Sequence, residues 1–113
     1  MAELDEATYN GLISGTFKRM LATLDGVDPD VLDTEATGDM LTVTSARGEK
    51  CIINTQRAVR QIWVAGLGQG IHFDWVPAEG RWLDDKGLGL ELFSHVERVL
   101  THLGDAPFSF EQA

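Results

Sequence analysis

The sequence predicts an α+β fold: a two-layer sandwich in which an N-terminal and a C-terminal helix pack on one face of a five- to six-stranded antiparallel sheet. Apolar residues recur at spacings of three and four near both ends of the chain, which is the period of an amphipathic helix. The middle holds short alternating runs joined by tight turns, and tight turns connect antiparallel neighbours. Two apolar helical stripes and one apolar sheet face need one another, so we expect residues 1–113 to form a single domain.

The first helix is predicted over residues 4–24, because a single apolar stripe runs along that segment. The stripe consists of Leu4, Ile13, Phe17, Met20, Leu21 and Leu24. Gly11 and Gly15 each cost a helix roughly 1 kcal/mol relative to alanine. Their spacing of four residues would permit the close approach of another backbone.

The second helix is predicted over residues 90–103, with Gly104 closing it. Its apolar face consists of Leu92, Phe93, Val96, Val99, Leu100 and Leu103. Two histidines, His95 and His102, lie on the same helix and are expected to face solvent.

Six short runs with strand character lie between the helices. They span residues 31–37, 40–45, 50–55, 61–65, 71–75 and 81–83, of which the first is weak. The glycine-rich segment 66–70 lacks the Lys-Ser/Thr pair of a phosphate-binding loop and enters a strand instead of a helix. It is therefore predicted to be a hairpin loop.

The charge of the chain excludes one class of partner. Eighteen acidic and nine basic residues give a net charge of −9, which repels phosphate backbones, so no nucleic-acid binding is expected. The charge is unevenly distributed: residues 1–39 carry a net −7 and residues 40–72 a net +3. No apolar run approaches the roughly 18 residues that a membrane helix needs, so no membrane association is expected.

The lone cysteine and the N-terminal residues bear on localisation. A single cysteine excludes an intramolecular disulfide and a cysteine-based zinc site. The apolar run Cys51-Ile52-Ile53 indicates a buried structural thiol, which fits a reducing cytoplasm. The first residues lack the features of a secretory or transit segment, so the chain is expected to start with its folded part.

The strand over residues 61–65 predicts a docking patch. Alternation places Ile62 and Val64 on one face, and Gln61 and Trp63 on the other. Asn54 and Gln56 share a face of the preceding strand, so these amides are expected to lie beside the tryptophan. An exposed tryptophan among amides, with Arg57 and Arg60 nearby in sequence, is typical of a protein-binding surface. The alternative is a tryptophan that fills a small cluster at a sheet edge.

Carboxylates near the end of the first helix form a second candidate site. Together with the N-terminal acids they are Glu3, Asp5, Glu6, Asp25, Asp28, Asp30, Asp33 and Glu35. Their spacing matches neither a calcium-binding EF-hand loop nor the Glu-x-x-His pairs of di-iron bundles. Two interpretations remain: an open acidic ridge that binds hard cations weakly, or a face that only keeps the protein soluble.

Other chemistry is weakly indicated. His72 and Asp74 share a strand face and would chelate one metal ion, although a surface pair without a role is also typical of such a pattern. No nucleophile, base and orienting group stand in a suggestive context, so an enzyme is not expected from the residues alone.

The segments Asn54-x-Gln56, Gln61-Ile62-Trp63 and His72-Phe73-Asp74, with Trp82 after them, resemble the sheet signature of bacterial frataxins. The resemblance spans nearly the whole chain and is strongest over residues 38–83. It implies the two-helix sandwich already described. It also implies weak binding of Fe²⁺ or Fe³⁺ and docking on cysteine desulfurase near the iron–sulfur scaffold protein, as a regulator of cluster assembly.

By position, the resemblance assigns iron to the acidic ridge of eight carboxylates and the partner contact to a docking patch. The ridge is Glu3, Asp5, Glu6, Asp25, Asp28, Asp30, Asp33 and Glu35, and the docking patch is Asn54, Gln56, Gln61 and Trp63. Lys18 and Arg19 interrupt the stretch where the family ridge continues, so iron binding is expected to be weaker or to shift toward residues 25–35. Without iron the acidic ridge disfavours self-association, and a monomer is expected. A ferroxidase and a metal-independent acidic adaptor are the alternative functions.

Overall fold

The computed structural model of the chain describes residues 4–110, so Glu3 of the acidic ridge lies outside the described part. Two helices flank six strands in chain order. The elements are α1 (Glu6–Leu24), β1 (Leu32–Thr37), β2 (Met40–Ser45), β3 (Lys50–Gln56), a 3₁₀ turn (Arg57–Val59), β4 (Gln61–Gly66), β5 (Gln69–Val76), β6 (Arg81–Asp84) and α2 (Leu92–Gly104). The predicted elements are all present, with bounds that differ by one or two residues.

The six strands form one antiparallel sheet in the order β1-β2-β3-β4-β5-β6, so every strand pairs with its neighbour in sequence. This arrangement confirms the predicted antiparallel sheet. The pairing of β4 with β5 continues to Gly66 and Gln69, which leaves only two residues in the connection. These residues, Leu67 and Gly68, both have positive φ, as the tightest hairpins require. The predicted loop over 66–70 is therefore a hairpin turn, shorter than expected.

Both helices cover the same face of the sheet. The central strands bury every second residue, as Ile62 and Val64 of β4 illustrate. The core formed with the helices comprises Tyr9, Ile13, Met20, Leu24, Leu32, Leu41, Val43, Cys51, Ile53, Ile62, Val64, Phe73, Trp82, Leu92, Val96, Val99, Leu100, Leu103 and Phe110. The opposite face carries no helix among the described residues, and we call it the open face.

Two polar contacts tie α1 to the sheet. The Tyr9 hydroxyl donates to the backbone carbonyl of Gln61 at 2.7 Å. On the edge strand β6, the Trp82 indole nitrogen donates to the Thr16 hydroxyl at 3.3 Å. Because a buried polar atom without a partner is costly, these bonds fix where α1 lies along the strands.

Asp84 organises the connection between β6 and α2. Its carboxylate accepts hydrogen bonds from the backbone nitrogens of Lys86 at 3.1 Å, Leu88 at 2.7 Å and Leu90 at 2.8 Å. These bonds, with that from Leu88 the strongest, hold the pKa of Asp84 below its usual range. The loop is thereby folded back on the end of β6, which places the next residue, Asp85, over the open face.

The expectation that both histidines of α2 face solvent is wrong for His95. His102 is exposed, but the His95 side chain is 3% exposed and lies 5.7 Å from Phe73, measured between ring centroids. His95 follows Leu92 by three residues and precedes Val99 by four, so it belongs to the buried stripe of the helix. Desolvation, with a smaller contribution from the Arg98 guanidinium, lowers the pKa of His95.

The close backbone approach expected at Gly11 and Gly15 is also wrong. A β-carbon at either position would meet no atom within 4 Å, so both glycines weaken α1 without a compensating contact among the described residues. Gly66 differs, because a β-carbon there would lie 2.8 Å from Cγ1 of Val99 on α2. At this glycine the sheet packs directly against the second helix.

These environments predict opposite effects for two glycine substitutions. Gly15→Ala should raise the free energy of unfolding by up to about 1 kcal/mol, because alanine favours the helix and meets open space. Gly66→Ala should lower it by about 1 to 3 kcal/mol, because the added methyl overpacks the contact with Val99. Urea unfolding of both variants measures these changes, and a destabilised Gly15→Ala protein would contradict the described surroundings of α1.

The buried histidine predicts a pH dependence. Since the pKa of His95 is lowered on folding from 6.5, the unfolded chain binds the extra proton first. Its contribution to stability is therefore full above about pH 6.5 and is lost as the pH falls below that value. The unfolding free energy should drop more between pH 7.5 and 5.5 in the wild type than in His95→Leu. The matched control His102→Leu removes the exposed histidine and should retain the wild-type drop.

Candidate docking and metal-binding surfaces

The residues of the docking patch lie in two neighbouring rows across the open face. Antiparallel register pairs Trp63 with Asn54 on β3 and with His72 on β5. The next row pairs Gln61 with Gln56 and with Asp74. The four predicted patch residues are thus brought together, each half-buried, by the same alternation that buries their neighbours in sequence.

The Trp63 indole is held on one ring face and at its nitrogen. Its ring stacks on His72 with centroids 4.0 Å apart and an angle of 11° between the planes. Its nitrogen donates to the Gln61 side-chain oxygen at 2.8 Å. Tryptophan held in one position loses little further freedom on binding, which favours its use as an anchor in a protein interface.

The Gln61 amide is itself fixed by two carboxylates. Its side-chain nitrogen donates to Asp74 Oδ1 at 3.0 Å and to Asp85 Oδ2 at 3.1 Å. Asp85 Oδ2 also lies 3.5 Å from Nδ1 of His72. Sequence reasoning missed Asp85, because it lies past the end of β6 and reaches the open face only through the loop that Asp84 closes.

The two other patch residues and the nearby arginines behave differently. The side chains of Asn54 and Gln56 make no hydrogen bond within residues 4–110, so their amides are free to bind a partner. Arg57 instead forms an ion pair with Asp39 at 2.7 Å and a hydrogen bond with Asn10. The pKa of Asp39 is lowered chiefly by its hydrogen bond from this guanidinium. The positive charge of Arg57 beside the docking patch is therefore partly neutralised by Asp39.

The acidic ridge consists of two separated groups. Asp5 and Glu6 lie at the N-terminal end of α1, while Asp25 follows its C-terminal end. The helix has 19 residues, which at 1.5 Å per residue separates its ends by roughly 28 Å. Lys18 lies exposed between the two groups. The seven ridge carboxylates within residues 4–110 cannot all ligate one ion.

Some ridge carboxylates already have a structural role. Asp5 caps α1 by accepting a hydrogen bond from the Thr8 backbone at 2.7 Å, which lowers its pKa. Asp28 accepts from the Asp30 backbone at 2.9 Å and shapes the turn into β1. The four ridge carboxylates without a hydrogen bond or ion pair among residues 4–110 are Asp25, Asp30, Asp33 and Glu35.

These four exposed carboxylates fit a hard cation, including iron, through their oxygens. Within the described residues, however, no three Asp, Glu, His or Cys side chains converge as a metal site would require. An ion at this end of the ridge would therefore keep most of its water ligands and bind weakly.

Three other side chains with metal-binding chemistry are otherwise engaged. His72 contacts Asp85 and Trp63, whereas Asp74 accepts from Gln61, so each of the two side chains is engaged by other residues of the open face. The Cys51 thiol is fully buried, as predicted, and desolvation raises its pKa to about 12. It is therefore neither a ligand nor a nucleophile in the folded protein.

Within residues 4–110, no helix has the length and apolar character to cross a bilayer.

Comparison with solved structures finds the same fold in a frataxin from Psychromonas ingrahamii, with a TM-score of 0.83 and 23% sequence identity over 96% of this chain and 99% of that one. At that identity the likeness concerns the fold alone.

Sequence comparison identifies relatives with higher identity to this chain. A protein from Ectopseudomonas mendocina named iron-sulfur cluster assembly protein CyaY is 37% identical over 109 residues, 96% of this chain and 97% of its own length. One of the same name from Tolumonas auensis is 36% identical over 89 residues, 79% of this chain and 82% of its own. The family model for the frataxin-like domain matches residues 2–105. The chain therefore belongs to the frataxin-like family.

Proposed function

We propose that this protein binds iron weakly and regulates iron–sulfur cluster assembly in the bacterial cytoplasm by docking on cysteine desulfurase beside the scaffold protein. The relatives from Ectopseudomonas mendocina and Tolumonas auensis carry the name of iron–sulfur cluster assembly proteins, which supports the process. The observation that carries the docking role is the half-buried Trp63 on the open face, surrounded by amides and fixed by stacking on His72.

The chemistry of the docking patch suits a protein partner. Tryptophan supplies a large contact area, and the unbonded amides of Asn54 and Gln56 offer both donors and acceptors to a partner's backbone. The apolar face of the same strands is already buried under the helices, so the open face is the surface of the sheet that remains for an interface.

The charge of the ridge supports the choice of partner surface. Asp25, Asp30, Asp33 and Glu35 are exposed and unpaired among the described residues, and residues 1–39 carry a net −7. Such a surface attracts a basic groove, raises the rate of encounter, and loses this advantage as salt screens it. The ridge steers the approach, and Trp63 provides the contact at short range.

Iron at the ridge would modulate the same approach. A weakly held, largely hydrated Fe²⁺ neutralises part of the negative charge and reports the supply of the metal to the assembly complex. Delivery or sensing of iron needs a site that releases the ion readily, and the absence of three converging ligands in residues 4–110 is consistent with such a site.

Reversing one ridge charge should weaken iron binding at a defined place. Asp33→Lys is expected to lower the affinity for Fe²⁺ at least about threefold under anaerobic conditions, because it removes a ligand and adds a repelling charge. Paramagnetic broadening of amide signals around residues 25–35 measures the binding. Glu79→Lys changes the net charge equally but lies in the β5–β6 turn, so it should leave that broadening intact. Equal losses in both variants would reduce the ridge to an effect of net charge.

Removing the tryptophan should abolish most of the docking. Trp63→Ala is expected to weaken binding to cysteine desulfurase, measured with and without the scaffold protein at low salt, by about 30-fold, as for an interface hot spot. Leu88→Ala removes a side chain that is 60% exposed in the loop before α2 and should change the affinity less than twofold. Wild-type affinity in Trp63→Ala would place the interface elsewhere.

A further inference from the structure

Trp63 has one acceptor for its indole nitrogen, the side-chain oxygen of Gln61 at 2.8 Å. A glutamine amide has an oxygen at one end and an NH₂ group at the other, so its orientation decides whether it can accept this bond. Were the amide turned over, its NH₂ group would face the indole N–H and the bond would be lost. The orientation of Trp63 therefore depends on the orientation of Gln61.

Two carboxylates determine that orientation. Asp74 and Asp85 both accept from the Gln61 nitrogen, at 3.0 Å and 3.1 Å. Turning the amide over would place its oxygen against both carboxylates, which accept hydrogen bonds but do not donate them when ionised. The NH₂ end is thus held toward the carboxylates and the oxygen toward the tryptophan.

Asp85 contacts both side chains that hold Trp63. Its Oδ2 lies 3.1 Å from the Gln61 nitrogen and 3.5 Å from Nδ1 of His72, whose ring stacks on the indole. Its backbone nitrogen donates to the His72 carbonyl at 2.9 Å, which anchors the residue against β5. The Asp85 side chain is 26% exposed, so its bonds are partly shielded from water.

We propose that Asp85 is a positioning residue for docking: through Gln61 and His72, it holds the Trp63 indole in the orientation that the partner binds. The inference rests on the proposed docking function, which it extends to a residue outside β3, β4 and β5. Asp74 supports Gln61 from the neighbouring strand, but among the described contacts Asp85 is the carboxylate shared by Gln61 and His72.

A thermodynamic cycle tests whether Asp85 acts through the tryptophan. Asp85→Ala should weaken binding to cysteine desulfurase about fivefold in the wild-type background, as for the loss of one typical hydrogen bond. It should cause no further loss when introduced into Trp63→Ala. Asp85→Asn keeps an oxygen that can accept from Gln61 and should retain affinity within about twofold. A fivefold loss in both backgrounds would overturn the proposal, because Asp85 would then contact the partner directly.

The indole N–H signals of the three tryptophans test the positioning without any partner. In Asp85→Ala, the Trp63 signal should shift and exchange faster with solvent, because its acceptor Gln61 keeps only one of its two carboxylate partners. The Trp82 signal, whose N–H is bonded to Thr16 in the core, should stay unchanged and shows that the variant is folded. An unchanged Trp63 signal would overturn the proposal. If Asp85→Ala does not fold, Asp85→Ser carries the same test with a shorter side chain.

The two experiments also separate this inference from the proposed function. If Trp63→Ala binds the desulfurase as the wild type does, the docking function fails, whatever the indole signal shows. If Trp63→Ala fails to bind while Asp85→Ala binds normally, docking at Trp63 stands and the positioning role of Asp85 is overturned.

Discussion

The two-residue period of the strands is the constraint on which the rest of this structure depends. On β3, β4 and β5, Ile53, Ile62 and Phe73 are buried under the helices, so their neighbours in sequence lie on the open face. A slip of one residue in register would exchange the two sets, burying Trp63 and exposing the core. The hydrophobic energy that fixes the fold therefore also places the residues of the docking patch on one face, where polar and stacking contacts orient Trp63.

Gln61 connects the two surfaces that this constraint creates. Its backbone carbonyl accepts from Tyr9 of α1, while its side chain orients Trp63 on the open face. Arg57, in the turn before β4, forms a second connection, because it bonds to Asn10 of α1 and also to Asp39 between β1 and β2. The helix that carries part of the acidic ridge is thus bonded to the strand that carries the tryptophan.

Sequence patterns predicted the elements, the order of strands and the face of each patch residue, because all three follow from local period and turn chemistry. They failed where a contact depends on tertiary packing. His95 was assigned to solvent by its polarity, although its position in the stripe of α2 places it in the core. Asp85 shows no periodic signal at all, and its place beside Gln61 follows from a loop folded around Asp84. The sequence likewise suggested one acidic ridge, whereas the length of α1 separates its two ends.

The sealed thiol of Cys51 limits the chemistry in which this protein can take part. Thiolates are the usual protein ligands of iron–sulfur clusters, and a thiol is also what carries a transferable sulfur atom as a persulfide. The chain has a single cysteine, which is fully buried and protonated at neutral pH. While the chain stays folded, Cys51 can neither ligate a cluster nor accept sulfur covalently. In the proposed function, the chain would therefore act on cluster formation through oxygen ligands and surface contacts, and the sulfur chemistry would stay on its partners.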